Sequence, residues 1–178
     1  MRIAHFSDLH LLSLDGVGVG DFLNKRVLGG MNLLLNRGRH YRAEVFEALV
    51  ADINGQQIDH VICSGDVTNL ALAGEFRFAR ELFDKLALAA RDVTCVPGNH
   101  DAYVIEVEGL FEKIFAPFCS SDPGFATHNG VPWPLARVRG DLAIVGLSTG
   151  HATGWLMAHG ELGRAQEGGE EPPLSELG

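Results

Sequence analysis

Three short apolar runs in this chain each end on a cluster of polar side chains. Arg2-Ile3-Ala4-His5-Phe6-Ser7 runs into Asp8-Leu9-His10. Asp59-His60-Val61-Ile62-Cys63-Ser64 runs into Gly65-Asp66-Val67-Thr68-Asn69. Val93-Thr94-Cys95-Val96 runs into Pro97-Gly98-Asn99-His100-Asp101. Runs of this length and composition predict buried strands. The Pro-Gly pair stops the third, because Pro offers no ladder donor and Gly allows a sharp turn. Between the runs the period changes. Val45, Phe46, Leu49, Val50 and Ile53 recur at helical spacing and predict a crossover helix over 42–55, ended by Gly55. Phe76, Ala79, Leu82, Phe83 and Leu86 form the inner stripe of a second helix over 71–90. The order β-α-β-α-β predicts a parallel sheet with right-handed crossovers.

The rest of the chain is less periodic. Residues 104–118 predict a helix ended at Pro117, and 119–134 a loop. Leu135–Arg139 and Leu142–Leu147 read as two strands joined by Gly140-Asp141, a hairpin signal. Residues 11–20 carry Gly16, Gly18 and Gly20 and read as a loop above the first strand end. They lack the strand-to-helix context of a phosphate cradle. Phe22, Leu23, Val27, Leu28, Met31, Leu34 and Leu35 give 21–39 a rough helical stripe, and Lys25, Arg26, Arg37 and Arg39 make it basic. A cap over the sheet edge is the plainer reading. Weak contact with a membrane or lipid is the sharper one. Pattern fades after Leu147. Residues 165–178 hold Glu167, Glu170, Glu171 and Glu176 with no basic residue, and read as a disordered acidic tail after a domain spanning 1–164.

Length and charge narrow the classes. The 178 residues suffice for one domain with a real core. A net charge of −9 argues against nucleic acid as partner, but not against a small phosphate ester, because bound cations invert the local sign. Cys63, Cys95 and Cys119 are odd in number and widely spaced, which suits neither a disulfide framework nor a zinc knuckle. No leader precedes the first strand and no apolar run reaches transmembrane length, so a cytoplasmic setting is expected.

The polar clusters carry the chemistry. Amide, imidazole and carboxylate groups side by side at the mouth of a buried strand are costly to desolvate without a partner. A metal ion satisfies oxygen and nitrogen donors together. Residues two apart on a strand share a face, so Asp8 and His10 both reach one ion if the extended backbone persists past Ser7. Gly65 frees the chain for Asp66 to turn inward. All three clusters fall at the carboxyl ends of predicted parallel strands, where open α/β sheets bind ligands. Taken singly, an Asp-x-His is usually a surface turn, a Gly-Asp a turn and an Asn-His-Asp a helix cap. Their order is what carries weight.

That order, D-x-H then G-D-x-x-[DN] then G-N-H-[DE], resembles the calcineurin-like metallophosphoesterase superfamily over residues 1–150. The strand wording is most similar to the bacterial branch with class III cyclic-nucleotide phosphodiesterases. The resemblance implies an α/β fold, a β-sandwich flanked by helices, and two divalent ions: Mn, Fe or Zn, with Mg ranked below them. It implies that Asp8, His10 and Asp66 serve one ion while Asp66 and Asn99 serve the other, Asp66 bridging. A water between the ions becomes the nucleophile on a small phosphate ester, most suitably a phosphodiester. His100 protonates the leaving alkoxide or steadies the phosphate, Asp101 orients His100, and Asn69 supports the surroundings of Asp66. His5 and His60 read as satisfied core or edge histidines, His40 and His128 as surface ones.

One departure stands out. Family members supply further histidines after the second sheet begins, one alone and then a Gly-His-x-His pair. Here only His151 and His159 follow the hairpin, and Gly150-His151-Ala152 lacks the second histidine. The expectation is a truncated member with an incomplete second sheet, able to self-associate through the uncovered sheet. The alternative function is a catalytically inactive relative serving as a binding module or as a fragment without function.

Overall fold

The computed structural model describes residues 1–13, 41–102, 108–125 and 132–149, together with Leu162 and Gln166. The glycine-bearing loop, the basic stretch 21–39, His40, His128, His151, His159 and the acidic tail other than Gln166 lie outside the described residues.

Three parallel strands form the centre: β1 (Ile3–Phe6), β2 (His60–Cys63) and β3 (Val93–Cys95), in the spatial order β1-β2-β3. Register pairs Phe6 with Cys63 and Cys63 with Cys95. Helix α1 (Tyr41–Gly55) crosses from β1 to β2, and α2 (Ala73–Phe83) crosses from β2 to β3. This is the predicted α/β order.

One face of the sheet buries Phe6, Val61, Cys63, Val93 and Cys95 in a core shared with both helices. Phe83 is the hub. Its ring lies 5.7 Å from Phe6, 5.5 Å from Phe46, 5.3 Å from Phe115 and 5.7 Å from Phe118, in edge and tilted contacts. The buried stripe of α1 is Phe46, Val50 and Ile53, with Leu49 half-buried. Val45, expected on that stripe, is 65% exposed. A single i, i+4, i+7 row meets the sheet, and Val45 points off it.

Two helices are shorter than expected. α2 ends at Phe83 rather than at Ala90 because α1 supplies other partners for the chain beyond it. Asn54 donates through Nδ2 to the Lys85 carbonyl (2.8 Å) and accepts at Oδ1 from the Ala87 N–H (2.8 Å). Those bonds replace helical ones, and Leu86 is still buried as predicted. The helix expected over 104–118 is α3 (Leu110–Ile114), entered from Gly109 at φ 75°; residues 103–107 lie outside the described residues.

The hairpin is present as β4 (Leu135–Arg139) and β5 (Leu142–Gly146), antiparallel, with Arg139 opposite Leu142 across the two-residue turn. Gly140 takes φ 62° there, which a side chain adopts with strain. The hairpin packs against the second face of the parallel sheet. A Cβ on Gly146 would lie 3.0 Å from Val96 Cγ1 and 2.7 Å from Leu135 Cγ. Arg137, 1% exposed, threads the interface. Its guanidinium donates to the carbonyls of Val93 (2.5 Å), Arg91 (2.8 Å), Ser120 (2.8 Å) and Pro117 (3.1 Å). At the far end of β5, Ser148 exchanges two bonds with the Gln166 amide (2.9 and 2.7 Å).

His60 lies under this second sheet and is fully buried. Nε2 pairs with Thr94 Oγ1 at 2.8 Å, but Nδ1 has no partner among the described residues. It is thus only half satisfied. Burial, then the positive charges of Arg139 and Arg137, push its pKa down to about 4, against the weaker pull of Asp92 and Asp122. The native state therefore refuses a proton that the unfolded chain accepts near pH 6.5. Stability contributed by neutral His60 is full above that pH and is lost as pH falls toward 4. Urea titrations of metal-free protein across this range should show a loss of about 3 kcal/mol that the His60→Gln variant does not share. Equal pH slopes in the two proteins would refute the assignment.

Candidate metal centre

The chain leaving β1 does not stay extended. Asp8 adopts φ 58° and His10 φ 44°, both left-handed. The expectation that a persisting strand aims both side chains at one ion is therefore corrected: two tight reversals do the aiming. Neighbouring backbone imposes them. Asp8 N–H donates to Gly65 O (3.1 Å), His10 N–H to Asp66 O (2.9 Å) and Leu11 N–H to Val67 O (2.9 Å). The loop after β1 is zipped along the loop after β2, and the register of that zipper dictates its torsions.

The loop after β2 is held against the loop after β3 by the absence of two side chains. Gly65 has φ 104°, and a Cβ there would lie 2.7 Å from Gly98 Cα and 2.8 Å from the Pro97 carbonyl carbon. A Cβ on Gly98 would lie 2.5 Å from Asp66 N and 2.7 Å from Asp66 Cγ. Ordinary van der Waals contact needs well over 3 Å, so each glycine makes room for the other loop. Asp66, at φ 55°, then turns its carboxylate inward, where Oδ1 accepts from His100 N–H at 2.8 Å.

These constraints bring His10, Asp66 and His100 together, with one ligand atom from each within 4.8 Å of the others. The two imidazoles meet edge to face at 4.5 Å between centroids. Nitrogen and carboxylate donors at this spacing could hold a metal ion. Asp8 stands at the rim, its side chain 66% exposed and its Oδ1 3.7 Å from His10 Nε2. Asn99 is exposed on the turn before His100. Of four non-glycine residues with positive φ among the described residues, three are Asp8, His10 and Asp66. Strain of about 1–3 kcal/mol per residue is kept where the surroundings over-determine it, and it marks ligand sites.

Asp101 has a different place from the one expected of it. Its carboxylate is 2% exposed and accepts from Gly98 N–H (3.0 Å), Val67 N–H (3.2 Å), Thr68 N–H (2.9 Å) and Thr68 Oγ1 (2.9 Å). None of these bonds goes to the His100 ring. Asp101 braces the second loop to the third. Burial pushes its pKa up to about 6, opposed by those donors. The His100 ring is instead held by Asn69, through the backbone: the Asn69 carbonyl pairs with His100 Nδ1 at 2.9 Å. A carbonyl can only accept, so Nδ1 carries the proton in this bond.

Sequence reasoning missed Thr68 and Glu75. Thr68 gave no signal beyond its place in the motif. Glu75 did give one, since it lies on the same helical row as Ala79 and Leu82 and so falls on the apolar stripe of α2. The structure buries it completely.

The model of the calcineurin-like phosphoesterase family matches residues 1–173. Comparison with curated proteins gives no match.

Because Gly98 makes room for the Asp66 carboxylate, Gly98→Ala should weaken Mn binding by about tenfold or more, the scale seen when a ligand's support is lost. Calorimetric titration of metal-free protein measures this, with circular dichroism to show retained structure. Unchanged affinity would refute the interlock.

Proposed function

Since the chain belongs to the calcineurin-like phosphoesterase family, a family of metal-dependent phosphoesterases, we propose that it hydrolyses a phosphodiester at the cluster of His10, Asp66 and His100. The observation that supports this reading best is the convergence of these side chains at the carboxyl ends of parallel strands.

Divalent ions, when bound, supply positive charge that activates water and offsets charge building on the phosphoryl oxygens. Asp66, His10, Asp8 and Asn99 are the residues that would hold them, with Asp66 central because its carboxylate is fixed by the His100 N–H. We read His100 as facing substrate. With Nδ1 committed to the Asn69 carbonyl, Nε2 is the atom that exchanges a proton with the leaving alkoxide or bonds a phosphate oxygen. Among the described residues, Asp8 and Asn99 stand exposed beside the cluster, where a phosphate ester would meet it.

Protein purified without chelator should hydrolyse bis(4-nitrophenyl) phosphate when Mn is added. Asp66→Ala should remove both that turnover and the bound metal, by about a thousandfold or more in rate. Turnover that survives Asp66→Ala would belong to a contaminant. Metal bound without any turnover in the parent protein would favour a binding role instead.

A further inference from the structure

Glu75 has no assigned role, yet its side chain is fully buried on α2. One carboxylate oxygen, Oε2, accepts from three backbone N–H groups: Leu70 at 2.8 Å, Leu72 at 3.2 Å and Asn69 at 3.3 Å. The closest of these belongs to the Asn69–Leu70 peptide unit. The carbonyl of that same unit is the one that pairs with His100 Nδ1 at 2.9 Å. One peptide plane is thus gripped on both edges, by a carboxylate on its N–H side and by an imidazole on its C=O side.

We propose that Glu75 is the positioning residue of His100, acting through the Asn69–Leu70 peptide. A carboxylate bonded to a peptide N–H draws density toward the carbonyl oxygen and makes it a stronger acceptor, because serial hydrogen bonds polarise one another. The effect on His100 is the one a directly bonded carboxylate has on an imidazole: the ring is oriented and the Nδ1–H tautomer is favoured. Asp101, adjacent in sequence, cannot fill this role because its oxygens are committed to Gly98, Val67 and Thr68. The loop between the two ends bears a further mark of constraint. Ala71 adopts φ 53°, and the N–H groups on both sides of it, those of Leu70 and Leu72, converge on the same oxygen. The carboxylate holds a strained turn in the one form that presents the Asn69 carbonyl to the ring.

The inference rests on the reading of His100 as facing substrate, and its test separates the two. In metal-free protein with 15N-labelled histidine, at a pH where the ring is neutral, ring 15N shifts should show His100 almost wholly in the Nδ1–H tautomer. Glu75→Gln, which keeps the shape and removes the charge, should give a mixture. With Mn and bis(4-nitrophenyl) phosphate, Glu75→Gln should lower kcat by about tenfold with KM within about twofold. In a His100→Ala background the same substitution should change kcat by less than about twofold, since the group it acts through is gone. If Glu75→Gln does not fold, Glu75→Asp withdraws the carboxylate by one methylene and is read the same way. An unchanged tautomer, or an equal fall in kcat with and without His100, would overturn the proposal. A parent protein with no turnover would remove the phosphoesterase reading and leave the tautomer result to decide the relay.

Discussion

A loop that leaves a parallel sheet carries amide groups with no ladder to enter, and burying them unpaired costs about 1–3 kcal/mol each. Two internal carboxylates meet that constraint here. Asp101 takes the N–H groups of Val67, Thr68 and Gly98, and Glu75 takes those of Asn69, Leu70 and Leu72. Between them they fix the whole stretch from Val67 to Leu72, and with it the carboxylate of Asp66 and the ring of His100. The donors of the centre are held by backbone, and the backbone is held by acids that do not face the site.

Much of this was legible in the sequence. The three strands and the two crossover helices follow from periodicity alone, and the hairpin from Gly140-Asp141 between apolar runs. The donor types at the strand ends were legible because polar clusters seldom follow buried runs without cause. The sign of φ at Asp8 and His10 was not, because it is set by bonds to Gly65 and Asp66 more than fifty residues away. The end of α2 was hidden for a similar reason, since Asn54 of another helix decides it. Asp101 looked like the partner of its neighbour His100, yet adjacent residues on a turn point apart, and the ring found a carbonyl across the loop.

The second sheet is joined to the first by a different device. Arg137 carries its charge into the interface and donates to backbone carbonyls of the segments around Arg91, Val93, Pro117 and Ser120. Burial lowers its pKa accordingly. The neighbouring Arg139 is neutralised by Asp92 and Asp122, at 3.1 and 2.6 Å. This charged seam lies at the amino end of β3, while Gly146 meets Val96 at the other end of the strand.

The zipper between the loops after β1 and β2 also bears on how the molecule is made. Asp8, Asp66 and His100 are far apart along the chain, and no single segment holds two of the three clusters. Loop closure over such separations is slow relative to the formation of local helices. The centre consequently requires β1 docked on one side of β2 and β3 on the other before its donors can meet. A folding intermediate that keeps both helices but lacks β1 has no centre at all. Uptake of metal during refolding would then time the arrival of the amino-terminal strand, which makes the ion a clock for that step of assembly.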